Sequence, residues 1–578
     1  MNTNGDVKTW IQWRTALALA SVLAASVTSA QEHLSPPALE LPATPPPITA
    51  ATEPPTSPAP FVHSPFVRSV QVNVNVQGRN IVGDAANEPS LCVDPTNPNR
   101  IAIGWRQFNS VASDFRQAGW GWSADGGATW QFPGTLETNA LRSDPVLASD
   151  ANGVFHYLSL KVTPTYVCDV WISTNGGSTF LRRADATGGD KAWFTIDTTT
   201  NTSRGHLYQA WSTAGNTTGN RIFSRSTDGG FTWMNPIAIP QTPYWATLDV
   251  GPDGTLFHLG WNGAGFWINR STNARNAALT PSFDLTRLVN LGGNHVLYPT
   301  VNPGGLGGQP WIVTDKSAGP NRGHLYALCS VTGASGHFSD IAFARSTNGG
   351  DTWSAPVRLN DDSPALRAWH WFGTLAIAPN GRLDACWYDT RADTNALQSQ
   401  LYYTWSQDGG RTWATNSPVS PSFDPTRGYP VQRKLGDYIG MISHNDTVNI
   451  AYAATFNGEQ DIYFLRMHHR DTDGDGIQDF RDNCPTRFNP SQTDCDRDGI
   501  GDACNEPPSL NIYRRANSVT ICWTASAGCW ELESASQPAA AQWSNAGLAP
   551  QIVAGMNCVT LNADAQNRFF RLRTRSPQ

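Results

Sequence analysis

Two runs of aspartate near the C-terminal end have the spacing of a cation site. Asp471, Asp473, Asp475 and Asp479 alternate around Gly476, and Asp494, Asp496, Asp498 and Asp502 repeat the design around Gly499. A hard cation takes about six to eight oxygen ligands, and carboxylates on alternate residues, folded about a glycine, converge on one point. An acidic surface run is the plain alternative, but such a run has no reason to place glycine and aspartate at matching offsets twice.

A second set of residues could act on sugars. Glycoside hydrolysis requires a proton donor to the leaving oxygen and a second group as nucleophile or base. Glu88, Asp144 and Asp437 are the candidate carboxylates, with Tyr438 and Arg433 beside Asp437. Arg142, Trp193, Tyr244, Trp245, His295, Tyr298, Trp369, His370 and Trp371 fall at corresponding places in a repeated phrase, as do Asp190 and Lys191. Aromatic faces cover the apolar side of a pyranose while charged groups read its hydroxyls. Two plainer readings stand beside this one. In "GDYIG" (436–440), Asp437 caps a strand-entry turn and Tyr438 fills a channel; His370, between two tryptophans, is part of a packed aromatic cluster.

The elements that must position these residues are short strands. "SADGGATW" (123–130), "STNGGSTF" (173–180), "STDGGFTW" (226–233), "STNGGDTW" (346–353) and "SQDGGRTW" (406–413) are near copies of one octapeptide, and "NRSTNARNAALTPSF" (269–283) is a decayed one. Before each lies an apolar strand, a turn and a second strand, as in "WATLDVGPDGTLFHLGW" (245–261). Units of roughly 40–60 residues with four strands each predict an all-β fold, a β-propeller. The count is seven blades, or six if the 269–283 region forms no blade of its own. The last unit, 434–467, has three strands, and the alternating strand "RSVQVNVNV" (68–76) completes it, closing the ring. Propeller ligands sit at one mouth of the channel, beside the entry to each innermost strand, which is where the sugar-site candidates fall.

Within the octapeptide the glycine pair supplies the positive φ a tight turn needs. Asp228 and Ser226 tie down neighbouring backbone. Asn replaces Asp at 175 and 348, a swap a turn acceptor tolerates and a catalytic carboxylate does not. The octapeptide is therefore architecture. These phrases match the Asp-box, or BNR-repeat, pattern S-x-D-G-G-x-T-W, and residues 64–467 resemble the sialidase superfamily of Asp-box propellers. The resemblance implies an exo-glycosidase (exo-α-sialidase-like) with arginines clamping a substrate carboxylate, a tyrosine–glutamate nucleophile pair and an aspartate acid/base. Where that family's Arg-Ile-Pro motif opens the first blade, this chain reads "NEPSLCVD" (87–94), with Glu88 and Pro89 and no arginine. Residues 471–505 resemble thrombospondin type 3 repeats, matching D-x-D-x-D-G-x-x-D-x-x-D-N-C-P with Asp482 as a further ligand. That resemblance implies bound Ca2+ and a Cys484–Cys504 disulfide.

Composition narrows the partners. The formal net charge is −7 and charged residues make up 15%, which argues against nucleic acid as a partner. Residues 1–30 read as a secretory signal peptide, with Lys8 and Arg14 ahead of "ALALASVLAASV" and a small-residue end at Ala30. A proline-rich linker spans 31–63, and no stretch is apolar enough to be a transmembrane segment. Residues 507–578 predict a small β-sandwich. Cys92, Cys168, Cys329 and Cys386 sit on separate propeller strands, as buried thiols or as disulfides. The expectation is a secreted, periplasmic or cell-surface glycoside hydrolase acting on a glycan or glycoconjugate substrate, with a calcium-binding stalk. The alternative is a non-catalytic glycan- or protein-binding adhesion propeller.

Overall fold

The computed structural model describes residues 61–64, 67–332, 335–495, 497, 499–505, 508–524, 530–539, 542–563 and 568–574. The expected signal peptide and nearly all of the linker lie outside the described residues; a strand, Phe61–Ser64, takes up the linker's last positions. Among the described residues no helix is long and apolar enough to cross a membrane.

Alternation of apolar and polar residues drives the chain into antiparallel sheets, and seven of them form a propeller. Their innermost strands are Ala85–Val93, Arg142–Ser149, Trp193–Ile196, Tyr244–Val250, Trp311–Thr314, His370–Ile377 and Gly440–Ser443. Each packs against the next, and Gly440–Ser443 packs against Ala85–Val93, so the ring is closed. The region around the decayed octapeptide does build a blade, Tyr244–Val250 to Leu285–Val289. The third blade has three strands, and Ile237 adds only an isolated bridge to Phe223. The last blade takes its fourth strand from the N-terminal side: Val67–Gln71 pairs with Asp461–His468. This strand is shorter than the alternation predicts, because the chain bends into a turn in which Gly78 N donates to Asn75 O at 2.8 Å.

The octapeptides form the turn after the third strand of their blades. Ser226 Oγ donates to Asp228 Oδ1 (2.8 Å) and accepts from Gly230 N (2.9 Å), and Asp228 accepts from Thr232 N and Oγ1 at 2.9 and 2.6 Å. Asn348 keeps the acceptor to Thr352 N (3.0 Å) and donates its amide to Thr352 Oγ1 (2.9 Å). Each turn also reaches the preceding blade: Trp120 Nε1 donates to Gly177 O at 3.0 Å, and Arg466 Nη1 donates to Gly126 O at 2.8 Å across the seam of the ring. The core between blades is apolar, with Trp105, Trp371, Trp387 and Tyr157 fully buried. Cys92, Cys168, Cys329 and Cys386 are buried free thiols.

A second compact unit follows the propeller. Its first part is held by the Cys484–Cys504 disulfide. Its second part is the β-sandwich, with one sheet ordered Asn511–Arg515, Ser518–Thr524, Met556–Asn562, Gln551–Val553 and another of Ser544–Asn545, Trp530–Ala535, Phe569–Thr574. Ile521, Trp523, Leu532 and Val559 form its core, and Cys522–Cys558 cross-links two neighbouring strands.

Candidate functional site

One position at the entry to each innermost strand takes backbone with positive φ: Glu88 (54°), Asp144 (46°), Lys191 (53°), Trp245 (52°) and Phe372 (58°), with Gly308 and Gly436 in the fifth and seventh blades. In four blades a register shift accompanies it, between Asn87 and Ser90, Ser143 and Val146, Tyr244 and Thr247, and Trp371 and Thr374. Such bulges re-aim side chains. Left-handed backbone costs a non-glycine residue about 1–2 kcal/mol, and strain of this kind gathers at functional sites.

The re-aimed residues meet at a cavity of about 520 Å³. Asp144, Asp190, Lys191, Trp245, Tyr298 and Asp437 line it. Lys191 Nζ touches Asp437 Oδ2 and lies 3.4 Å from Asp144 Oδ1, and its backbone N–H donates to Asp144 Oδ2 at 2.8 Å. Lys434 Nζ is 2.7 Å from Asp437 Oδ2, and Leu306 N donates to Asp437 Oδ1 at 2.8 Å. Glu88 is fully buried behind this wall, 3.2 Å from both Lys434 Nζ and Arg106 Nε and 3.5 Å from Lys191 Nζ. Three carboxylates thus share three cations.

Their protonation differs. Burial pushes Glu88 above the ordinary carboxylate range, against the pull of Arg106, Lys191 and Lys434. Burial also opposes ionisation of Asp144 and Asp437, yet Lys191 and Lys434 win there; Asp144 falls to about 2 and Asp437 lies well below its ordinary value.

The remaining candidates divide. Trp245 stacks on Trp261 with centroids 5.5 Å apart, and Tyr244 meets the same pair edge-on. His295 is buried against Trp245 and Trp261, and burial lowers it to about 4, leaving a neutral ring. Tyr298, about a third exposed, faces the cavity. Tyr438 does not line it: its hydroxyl donates to Pro145 O at 2.9 Å and its ring packs edge-on to Trp193. Trp193 in turn lines the channel below. Arg433 is exposed, and its carbonyl accepts from Gly304 N. Arg142 lies within its own blade, 2.6 Å from both Glu137 and Asp169. Trp369 stacks on Phe338, Trp371 is core, and His370 sits between Asp362 and Asp389.

Arg106, Arg116 and Lys434 line the cavity without having been singled out from the sequence. The signal for Arg106 was available. In an antiparallel hairpin the end of the second strand returns to the start of the first, and Arg106 pairs with Asn87, next to Glu88.

In the second unit, ligand atoms of Asp471, Asp473 and Asp475 lie within 4.8 Å of one another. Asp473 Oδ2 and Asp482 Oδ2 are buried and make no hydrogen bond, so the donor set fits a cation. Asp479 instead accepts from Arg470 Nε (2.9 Å) and Thr472 N (2.8 Å). Asp494 accepts from Arg497 N and Gly499 N, and Asp502 from Cys495 N. Asp496 and Asp498 lie outside the described residues.

Residues 469–492 match the thrombospondin type 3 repeat. No curated protein matches the chain. Among solved structures, the chain is similar to a protein of unknown function from Dyadobacter fermentans (13% identity, 70% of this chain and 100% of that one, TM-score 0.43). It is also similar to a fungal AA5-family alcohol oxidase in complex with copper (11% identity, 86% and 92%, TM-score 0.43). A third is the Hadza microbial sialidase Hz136 (15% identity, 66% and 66%, TM-score 0.33).

Proposed function

We propose that the chain is a secreted glycoside hydrolase acting on extracellular glycans in the axial cavity, followed in sequence by a Ca2+-binding repeat. The observation that carries this reading is the bridge of Asp144 and Asp437, from blades far apart in sequence, by the one ammonium of Lys191. Shared contact with one ammonium keeps the two carboxylates close together, no farther apart than the short end of the roughly 5–9.5 Å range that paired-carboxylate hydrolysis uses. Asp437, held by two lysines and a backbone N–H, stays ionised as the charge-stabilising group. Asp144 exchanges the proton once a sugar draws Lys191 onto its hydroxyls. Glu88, touching both lysines from behind, is the positioning residue. Trp245 and Tyr298 supply apolar faces for the ring, and the positive charge of Arg106 in the cavity wall suits an acidic sugar.

The second reading, a glycan-binding propeller without turnover, is favoured by one specific fact: both wall carboxylates are held low by lysines. A panel of fluorogenic glycosides, acidic and neutral, separates the two. Hydrolysis of at least one, reduced about 10²-fold or more in Asp144→Asn and Asp437→Asn, supports the enzyme. Binding without turnover supports the second reading, and turnover unchanged in both variants rejects this site.

A further inference from the structure

Between the fifth and sixth blades lies another cluster that the axial site does not use. His337 precedes strand Asp340–Ser346, Asp362 follows Val357–Arg358, and His370 opens the innermost strand of the sixth blade. Ligand atoms of the three lie within 4.8 Å of one another. His370 Nε2 is 3.2 Å from Asp362 Oδ1, and His337 Nε2 is 3.6 Å from Asp362 Oδ2. His337 Nε2, His370 Nε2 and Asp362 Oδ2 are all buried, and none makes a hydrogen bond. Three buried polar atoms this close together, with no hydrogen bond among them, are costly unless something satisfies them.

We propose that His337, Asp362 and His370 form a binding site for a divalent transition-metal ion of the zinc class. Two imidazoles and a carboxylate are a donor set such ions take, at bond lengths of about 2.0–2.2 Å. Tetrahedral bonds of that length set ligand atoms roughly 3.3–3.6 Å apart, close to the two spacings found here. His370 Nδ1 is 2.6 Å from Ser339 O, so that nitrogen carries a proton and Nε2 is left as the nitrogen that would ligate, the usual fixing of a ligating histidine. Asn360 Nδ2 donates to Asp362 Oδ1 at 3.1 Å and orients the carboxylate.

The surrounding charges fix the rest of the argument. Asp389 Oδ2 is 3.3 Å from His370 Nε2 but already accepts from Arg391 and Trp387, which leaves it outside the ligand set. Arg391 Nη2 stands 3.6 Å from Asp362 Oδ1. Ala368 N donates to His337 Nδ1 at 3.2 Å, so without metal the ring's proton sits on Nε2. Ligation needs the other tautomer and breaks that bond.

The test uses the full chain, stripped with chelator and refilled with excess Ca2+ to saturate the aspartate repeats, then titrated with Zn2+ and Co2+. The wild type is expected to bind one equivalent of Zn2+, to show tetrahedral Co2+ absorption in the visible, and to expose the Ala368 amide to faster hydrogen exchange on loading. His370→Gln and Asp362→Asn are each expected to weaken Zn2+ at least tenfold and abolish the Co2+ bands. Should His370→Gln fail to fold, His337→Gln serves the same purpose. Equal Zn2+ stoichiometry and affinity in wild type and a folded variant overturns the proposal, as does the absence of any binding by the wild type.

Discussion

Lys434 Nζ lies 3.2 Å from Glu88 Oε1, joining the approach to the last blade to the first blade at the seam of the ring. Gly436 makes the approach feasible: its φ is +108°, and a Cβ there would come within 2.6 Å of the Glu88 side chain. The same ammonium holds Asp437 at 2.7 Å, so ring closure and the axial cavity share one group. Removing one partner of a buried ion pair strands the other's charge, at about 3–5 kcal/mol. Lys434→Met is therefore expected to lower the denaturant midpoint clearly, with the first and last blades exchanging amide hydrogen fastest. A wild-type midpoint would show that Lys191 and Arg106 alone neutralise Glu88 and Asp437.

The octapeptide turns make a sharper prediction, because nature has placed both side chains in the same frame. Asn175 and Asn348 reproduce the acceptor role of Asp228 to the threonine N–H. Asp228→Asn is expected to be neutral within about 0.5 kcal/mol, while Asp228→Ala leaves Thr232 N and Oγ1 without that acceptor and costs about 1–2 kcal/mol. Thermal melts of the two variants check this; equal losses would mean the charge, not the acceptor, holds the turn.

How far the sequence could be read follows from what sets each feature. Strand alternation and the glycine-bearing turns are local, so the seven blades, the closing strand and the stapled hairpins were legible. Glu88 and Asp144 stand at the same step of a repeated phrase, and Asp437 one residue beyond the matching Gly436, which is why the phrase drew attention to all three. Arg106 and Lys434 were missed because register across a hairpin and spacing across the seam decide their reach. Tyr438 shows the opposite failure. It follows Asp437 directly, but successive residues of an extended chain point to opposite sides, so its ring turns into the packing around Trp193. Cys522–Cys558 was hidden for a further reason: pairing depends on which strands neighbour each other.

Stability should also carry a pH signature from the closing segment. Asp461 is buried and its carboxyl is raised to about 7, by burial first; Asp84 beside it is raised well above its ordinary value by burial and by the charge of Asp461. A folded-state pKa above the unfolded one, about 3.9 for aspartate, favours the folded state while the group stays protonated. That contribution is fully present below about pH 3.9 and is lost progressively as pH rises to about 7. His156, His258 and His295, lowered by burial, add stability as pH rises to about 6.5 and so overlap this window with the opposite sign, which comparison with a single Asp461 variant cancels. Measured against Asp461→Asn, which keeps a neutral group there, the wild type is therefore expected to lose stability progressively between about pH 4 and 7, by about 2–4 kcal/mol in urea unfolding. Parallel curves for both proteins would rule out titration of Asp461 in this range.

The aspartate repeat offers the last prediction. Asp471, Asp473 and Asp475 crowd their oxygens together, and Asp473, whose Oδ2 is buried and makes no hydrogen bond, faces the like charges of Asp475, Asp482 and Asp471. Such crowding is unfavourable unless a cation supplies the opposing charge. The segment has little apolar content, so metal and the Cys484–Cys504 disulfide must replace a core. Chelation is therefore expected to open residues 471–505 to protease while the propeller stays resistant, and added Ca2+ to restore protection. Asp473→Asn with Asp475→Asn should weaken Ca2+ by tenfold or more, read by calorimetry on the full chain. Cleavage at the same rate with and without chelator would show that the disulfide alone orders the segment, and the acidic cluster would then be a solvated face.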